Sequence, residues 1–208
     1  MPLNAIPPVF VLAAYLIGSL SFAVIVSRAM KMADPRSYGS GNPGATNVLR
    51  SGRKKAAILT LLGDALKGVL IVALAKVAGL ADPWLAAVAV AVTVGHMWPI
   101  FFRFQGGKGV ATAAGVLLTL DWRLGLAVMA VWLLVAFSTR ISSLAAILAA
   151  VAAPIACYLL LPARPAVFGA VLLIAALLVQ RHKQNLLNLL SGTEGRIGQK
   201  AKTDGGEA

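Results

Sequence analysis

The chain has 208 residues, 59% of them hydrophobic and only 12% charged, with a mean hydropathy of +0.84 and a formal net charge of +12. Soluble domains carry about a quarter charged residues, so this composition excludes an ordinary water-soluble protein and points to an integral membrane protein lying almost wholly in or near the bilayer. The positive charge falls in short clusters between apolar runs, which is the pattern of membrane topology and argues against nucleic acid as a partner.

No Lys or Arg precedes Arg28. A cleavable signal peptide begins with a basic region, so the N-terminus reads instead as a first span entering from outside. Seven apolar segments follow in order: 8–27, 56–77, 84–102, 110–120, 124–139, 143–161 and 166–179. A full span needs about 20 residues. The fourth segment has 11, and a short helix that starts below the membrane surface commonly aims its N-terminus at an anionic substrate.

Charge then orients the chain. With the N-terminus outside, 15 of the 19 Lys and Arg fall on the inner side, among them Arg28, Arg50, Arg53, Lys54, Lys55, Arg103, Lys108, Arg140, Arg181 and Lys183. Arg123 and Arg164 lie outside, Lys76 lies near that edge, and Lys67 lies within a span. This asymmetry predicts an N-terminus outside and a C-terminus in the cytoplasm. The outer connections, 78–83, 121–123 and 162–165, are short, so function is expected on the cytoplasmic face. The expected fold class is an all-α integral membrane protein with seven transmembrane helices, the fourth short. Residues 1–192 form one membrane domain in this reading, and 193–208 form a polar, disordered C-terminal tail. The single cysteine, Cys157, sits in an apolar run and can form no intrachain disulfide.

Three polar stretches fall on the inner side. The first, Ser37 to Arg50, holds Gly39, Ser40, Gly41, Asn42, Gly44, Thr46 and Asn47. Its glycines permit an irregular loop, and Arg50 offers a planar fork suited to phosphate. A turn-rich connector is the simpler reading of this stretch alone. The second runs from Gly95-His96 through Gly106-Gly107-Lys108-Gly109 to Val110-Ala111-Thr112. Glycines around a lysine at a helix start are the makings of an anion cradle, in which backbone N–H groups turn inward and the helix N-terminus adds partial charge. The spacing is not that of a Walker A loop. The third, Arg181 to Glu194, places His182 and Asn185 on one helical face, and its leucines suggest a helix lying in the membrane interface. A basic stop-transfer segment is the plainer alternative. Asp64 and Lys67, three apart within the second span, either pair with each other or position a loop. Ser142 and Ser143, after Arg140, either cap a helix or line the same site.

Together, in this order and spread over residues 39–194, the three stretches resemble the bacterial acyl-phosphate:glycerol-3-phosphate acyltransferase family, PlsY. The resemblance implies a seven-span, N-out protein of the bacterial inner membrane with its active site facing the cytoplasm, in agreement with the charge count. It implies transfer of a fatty acyl group from acyl phosphate to the 1-hydroxyl of glycerol 3-phosphate, giving 1-acylglycerol 3-phosphate and phosphate, with no cofactor and no metal. By the family pattern the catalytic residues are Ser40, Arg50, Lys108, Ser143, His182 and Asn185. Gly106, Gly107, Lys108, Gly109 and Thr112 are expected to hold acyl phosphate, and Arg50, His182 and Asn185 to hold glycerol 3-phosphate. Asn42, Thr46, Asn47, His96, Gly192 and Glu194 are expected to support them. Two alternatives stay open: Ser142 or Ser143 as the site serine, and His182 or a substrate phosphate oxygen as the base. The H-x-x-x-x-D motif of acyl-CoA-type acyltransferases is absent, since Phe101 and Leu187 stand where its acid would follow His96 and His182. The main rival from another class is a transporter of a small organophosphate anion. That function calls for internal repeats and polar lining that reaches the outer face, and neither is evident in the sequence.

Overall fold

The computed structural model describes residues 6–199. Among them the regular structure is entirely helical: α1 (Ile6–Gly18), α2 (Phe22–Ala29), α3 (Ala45–Leu49), α4 (Lys54–Val77), α5 (Asp82–Met97), α6 (Val110–Leu120), α7 (Trp122–Thr139), α8 (Ser142–Leu160), α9 (Pro165–Arg181) and α10 (Lys183–Leu190). Each of the seven expected apolar segments is helical. Four helical stretches are long and apolar enough to cross a membrane, and two bent pairs, α1–α2 and α9–α10, raise the number to six. The short α6 comes in addition. Their outward faces carry bare leucines and aromatics, such as Leu66, Leu70, Leu134, Phe137 and Leu159, as a lipid-facing surface requires.

Local chemistry explains where the elements start and stop. The first segment, expected as one helix, is two helices at 45°. The break falls at Gly18-Ser19-Leu20-Ser21, a typical kink composition. The Leu20 carbonyl freed by the break accepts a hydrogen bond from Lys67 Nζ at 2.8 Å. Pro99 has no N–H to donate, and α5 ends at Met97, followed by a 3-10 turn at Ile100–Phe102. The Asp121 carboxylate caps α7 by accepting from the Arg123 and Leu124 amides at 2.9 and 3.4 Å. At 11 residues, α6 is about 16 Å long, half the hydrocarbon thickness. The third polar stretch forms α10, which turns 55° away from α9.

Small residues let the helices approach closely. Gly18 of α1 abuts the Val92 carbonyl of α5, and Gly95 of α5 abuts the Tyr15 carbonyl of α1; a Cβ at either glycine would overlap the opposing backbone. Gly68 of α4 and Gly115 of α6 interlock in the same way. The apolar core runs through α4, α5, α6, α8 and α9, with Val72, Val88, Val116, Cys157 and Val171 among its buried residues. Cys157 is therefore a packing residue.

The stretch after Gly192 departs from the expectation of a loose tail. Through 199 the chain folds back: Glu194 accepts two side-chain hydrogen bonds, and the Ile197 amide donates to the Arg140 carbonyl at 2.7 Å. Gly192, at φ +72°, makes the turn that sends the chain back. The rest of the tail lies outside the described residues.

Candidate active site

The second polar stretch folds as a loop clamped from behind. Arg181, at the end of α9, donates from its guanidinium to the Gly106 carbonyl at 2.9 Å and to the Gly107 carbonyl at 3.1 and 3.2 Å. Its guanidinium carbon also lies 5.5 Å from the centroid of the Trp98 ring, a cation–π distance. The Gly107 amide donates to the His96 carbonyl at 3.1 Å, so this N–H is not free for an anion. The cradle expected from the sequence is thus only partly an amide nest. A Cβ at Gly106 would overlap the His96 carbonyl, and one at Gly107 would overlap the His96 ring, so these two glycines serve close packing. Gly109, at φ +87°, is the left-handed residue that starts α6, a conformation that favours glycine.

Lys108 heads a chain of side-chain hydrogen bonds drawn from four parts of the molecule. Its Nζ donates to Asn185 Oδ1 of α10. Asn185 Nδ2 donates to Glu194 Oε1 at 2.7 Å, and Ser143 Oγ, in the first turn of α8, donates to the same oxygen at 2.7 Å. Ser143 is buried in this network, whereas Ser142 is only the first residue of the helix. Burial pushes Lys108 down to about 8; Glu194 opposes the shift, and Arg181 and Arg50 add to it. Arg50 also reaches this end of the molecule, with its guanidinium against Gly195. Arg50, Arg181 and the single carboxylate of Glu194 thus all lie close enough to Lys108 to act on its charge. The local excess of positive charge suits an anionic ligand.

His182 follows the last residue of α9 and is buried. Its Nδ1 lies 2.7 Å from the Leu178 carbonyl. A carbonyl can only accept, so Nδ1 carries the proton and Nε2 of the neutral ring is left as an acceptor. Burial pushes its pKa down to about 4, and Lys108 and Arg181 contribute in the same direction against Leu178 and Glu194. At neutral pH His182 is therefore an uncharged acceptor.

The first polar stretch is organised around Asn47, which is buried. Its Oδ1 accepts from the Ser40 amide at 2.9 Å, and its Nδ2 donates to the Pro35 and Tyr38 carbonyls at 2.7 and 3.2 Å. Gly39 packs against this side chain at φ +59°. The far end of the loop meets the cradle, because a Cβ on Gly107 would lie 3.1 Å from the Pro43 carbonyl.

Beneath the cradle lies a buried polar cluster. Lys67 Nζ is 2.9 Å from both Asp64 Oδ1 and His96 Nδ1, and His96 Nδ1 is 3.4 Å from Asp64 Oδ1. Thr112 Oγ1 donates to the Asp64 carbonyl at 2.9 Å. Charges in an apolar interior are tolerated when paired and hydrogen-bonded. Here they pin α4 to the end of α5, the start of α6 and the α1–α2 break. The two open readings of Asp64 and Lys67 are both met: they pair, and through His96 they support the Gly107 loop.

A family model described as glycerol-3-phosphate acyltransferase matches residues 8–192. The chain belongs to the glycerol-3-phosphate acyltransferase family. Proteins named glycerol-3-phosphate acyltransferase from Cupriavidus pinatubonensis and Burkholderia vietnamiensis are 60% and 63% identical to it. The first alignment covers 93% of this chain and 97% of the relative, and the second covers 94% and 93%. Among solved structures, PlsY (YgiH), an integral membrane glycerol 3-phosphate acyltransferase, matches in its glycerol 3-phosphate form with a TM-score of 0.86 and 39% identity. That match covers 92% of this chain and 96% of the other. The lysophosphatidic acid form of the same enzyme matches with a TM-score of 0.85 and 37% identity.

Against this family pattern the structure gathers Lys108, Asn185, Ser143 and Glu194 into direct contact and brings Arg50 and His182 to the same end of the bundle. Other expected residues take different places. Thr112, expected on the acyl-phosphate loop, is fully buried with its hydroxyl bonded inward, so only its backbone is near the cradle. Asn47 holds the first loop through its side-chain amide, and the His96 ring lies against Gly107. Gly192 acts by turning the chain, and Thr46 is exposed. Asn42 carries its loop through its carbonyl, which accepts from the Gly44 amide at 2.9 Å. Arg181, absent from the expected site, is the residue the sequence reading missed. Its position next to His182, at the head of the third polar stretch, is the available signal, but a cation at the inner end of an apolar span reads equally well as a positive-inside charge.

Proposed function

We propose that this protein transfers a fatty acyl group from acyl phosphate to the 1-hydroxyl of glycerol 3-phosphate, giving 1-acylglycerol 3-phosphate (lysophosphatidic acid) and inorganic phosphate, as the first step of phospholipid synthesis. The observation that carries this reading is the Lys108–Asn185–Glu194–Ser143 network, set among Arg50, Arg181 and a neutral His182. Both substrates are phosphate anions, and the site is cationic. Family membership and the resemblance to solved forms with glycerol 3-phosphate and lysophosphatidic acid support the same reaction.

In this mechanism the acyl phosphate sits against the Gly106–Gly109 loop, with its phosphate beside Lys108 and the start of α6 and its acyl tail between helices in lipid. Glycerol 3-phosphate lies against Arg50, His182 and Asn185. Its 1-hydroxyl oxygen attacks the acyl carbon to form the new C–O ester bond. The carbonyl oxygen gains negative charge as the centre becomes tetrahedral, and Lys108 or a backbone N–H stabilises it. The acyl carbon–oxygen bond to phosphate then breaks, and phosphate leaves with the electron pair. The hydroxyl proton passes to His182 Nε2 or to a phosphate oxygen of the donor. The low pKa of His182 makes it a weak base alone, and a neighbouring phosphate dianion would raise it. Acyl phosphate is already activated, so no strong acid is needed.

The topology proposed with this function has seven crossings: α1 with α2, then α4, α5, the short α6, α7, α8 and α9. The N-terminus is outside and the C-terminus and active site face the cytoplasm, in the bacterial inner membrane. The charge asymmetry of the sequence supports this orientation. The test is phosphate release from a long-chain acyl phosphate by purified protein. Release that depends on glycerol 3-phosphate, with lysophosphatidic acid formed in equal amount, is the expected result. Release independent of glycerol 3-phosphate, or turnover only with acyl-CoA, would overturn it.

A further inference from the structure

A cationic cavity lies outside the network described above. It measures about 510 Å³ and is lined by Arg28, Asp34, Arg36, Ser37, Phe101, Phe102, Arg103 and Gln105. Its walls come from the end of α2, the connection that follows it, and the turn after α5. Arg36 is already satisfied, since it donates to both Asp34 carboxylate oxygens at 2.9 and 2.6 Å. That pair is neutral. Arg28 also acts on Asp34, helping to hold its carboxyl below the usual range, but Arg28, Arg103 and the Gln105 amide make no side-chain hydrogen bond among the described residues, so three arginines against one aspartate leave the cavity net positive, with a free amide. Its apolar rim is Phe101 and Phe102, continued along the same turn by Ile100 and Phe104; Ile100, Phe101 and Phe104 are 47%, 57% and 56% exposed. These residues occupy the segment where an apolar helix gives way to polar loop, the depth at which aromatic side chains mark a membrane–water interface.

We propose that this cavity binds the headgroup of an anionic phospholipid of the surrounding bilayer, with the phosphate between Arg28 and Arg103 and the acyl chains lying against Ile100, Phe101 and Phe104. A free phosphate would use the two arginines but leave the apolar rim bare, so the rim selects a lipid over a soluble anion. Paired arginine forks suit phosphate oxygens, and the anionic leaflet supplies the ligand at high local concentration. The cavity walls adjoin the active-site loops along the chain: Ser37 precedes the Gly39–Asn42 loop, and Gln105 directly precedes Gly106. A lipid held there ties together the two loops that meet at Pro43 and Gly107.

The experiment titrates phosphatidylglycerol and phosphatidylcholine into detergent-solubilised full-length protein and counts bound lipid by native mass spectrometry. Wild type is expected to retain phosphatidylglycerol in preference to phosphatidylcholine. R28Q/R103Q should lose that preference, with affinity for phosphatidylglycerol down about ten-fold or more. K54Q/K55Q removes the same charge at the start of α4, outside the cavity, and should bind as wild type does. The singles R28Q and R103Q, both at exposed positions, replace the double variant if it does not fold, and each should show part of the loss. Equal loss in the K54Q/K55Q control, unchanged binding in the arginine variants, or displacement of the lipid by inorganic phosphate at matched ionic strength would each overturn the proposal.

Discussion

Lys108 is the residue whose replacement separates stability from function most sharply. Its pKa falls from 10.5 to about 8 because burial disfavours its charged form and Arg181 and Arg50 add repulsion. At pH 7 the amine is protonated in both the folded and unfolded chains, so the fold carries the whole penalty, which the drop in pKa sets at about 3 kcal/mol. Lys108→Met removes that penalty but leaves Asn185 Oδ1 without its donor, a loss of about 1 kcal/mol. The variant is therefore expected to be about 2 kcal/mol more stable than wild type at pH 7. For a chain of this size that is a rise in Tm of roughly 4–8 °C, with acyl transfer abolished. The pH dependence has a definite sign. Between pH 8 and 10.5 the folded chain has released the Lys108 proton and the unfolded chain still holds it, so wild type gains stability as pH rises and the advantage of the variant shrinks. Thermal unfolding in one detergent at one scan rate, at pH 7 and pH 9.5, measures both effects. Glycerol 3-phosphate should raise the Tm of wild type more than that of the variant. An unchanged or lower Tm for Lys108→Met at pH 7 would refute the argument that this site holds a charge against its own stability.

Three further outcomes are expected. The kcat/KM for glycerol 3-phosphate should fall as pH rises through about 8, where Lys108 loses its charge, and Lys108→Arg, if active, should lack that limb because its guanidinium stays charged; a pH-rate study of both checks this. Lys67→Met strands the Asp64 carboxylate and frees the Leu20 carbonyl, so it should destabilise by about 3–5 kcal/mol, while Asp64→Asn/Lys67→Met recovers part of the loss; equal melting temperatures for the two variants would show that the charges are not coupled. Gly107→Ala drives a methyl group into the His96 ring and should lower turnover at least ten-fold by shifting Lys108, with a smaller change in Tm, as paired kinetic and melting measurements would show.

Much of this fold is legible in the amino-acid sequence. The apolar segments have helical lengths and polar ends, so 110–120 emerged as α6 with the same bounds, and 56–77 as α4 but for two residues. Hydropathy works here because a backbone in lipid must satisfy its own hydrogen bonds, which leaves the helix as the default. The break in the first segment was not legible. Gly18 and the serines around it are common inside spans, and the break is stabilised by Lys67, 47 residues away. In the sequence the glycines of the cradle read as chemistry, yet Gly106 and Gly107 are required first by contact with His96. Periodicity cannot distinguish a glycine that faces a ligand from one that faces a neighbouring helix.

The sequence by itself determined the membrane class, the apolar helical segments and the three polar stretches, because these follow from composition and from short-range pattern. Only the tertiary structure decided that Ser143 and not Ser142 joins Glu194, that Thr112 turns inward, that Arg181 clamps the loop, and that residues 193–199 fold back. Those outcomes depend on which side chains meet across helices far apart in the chain. The buried charges and hydrogen-bonding groups at the cradle find partners only where the packed helices bring donors and acceptors within about 3 Å of each other.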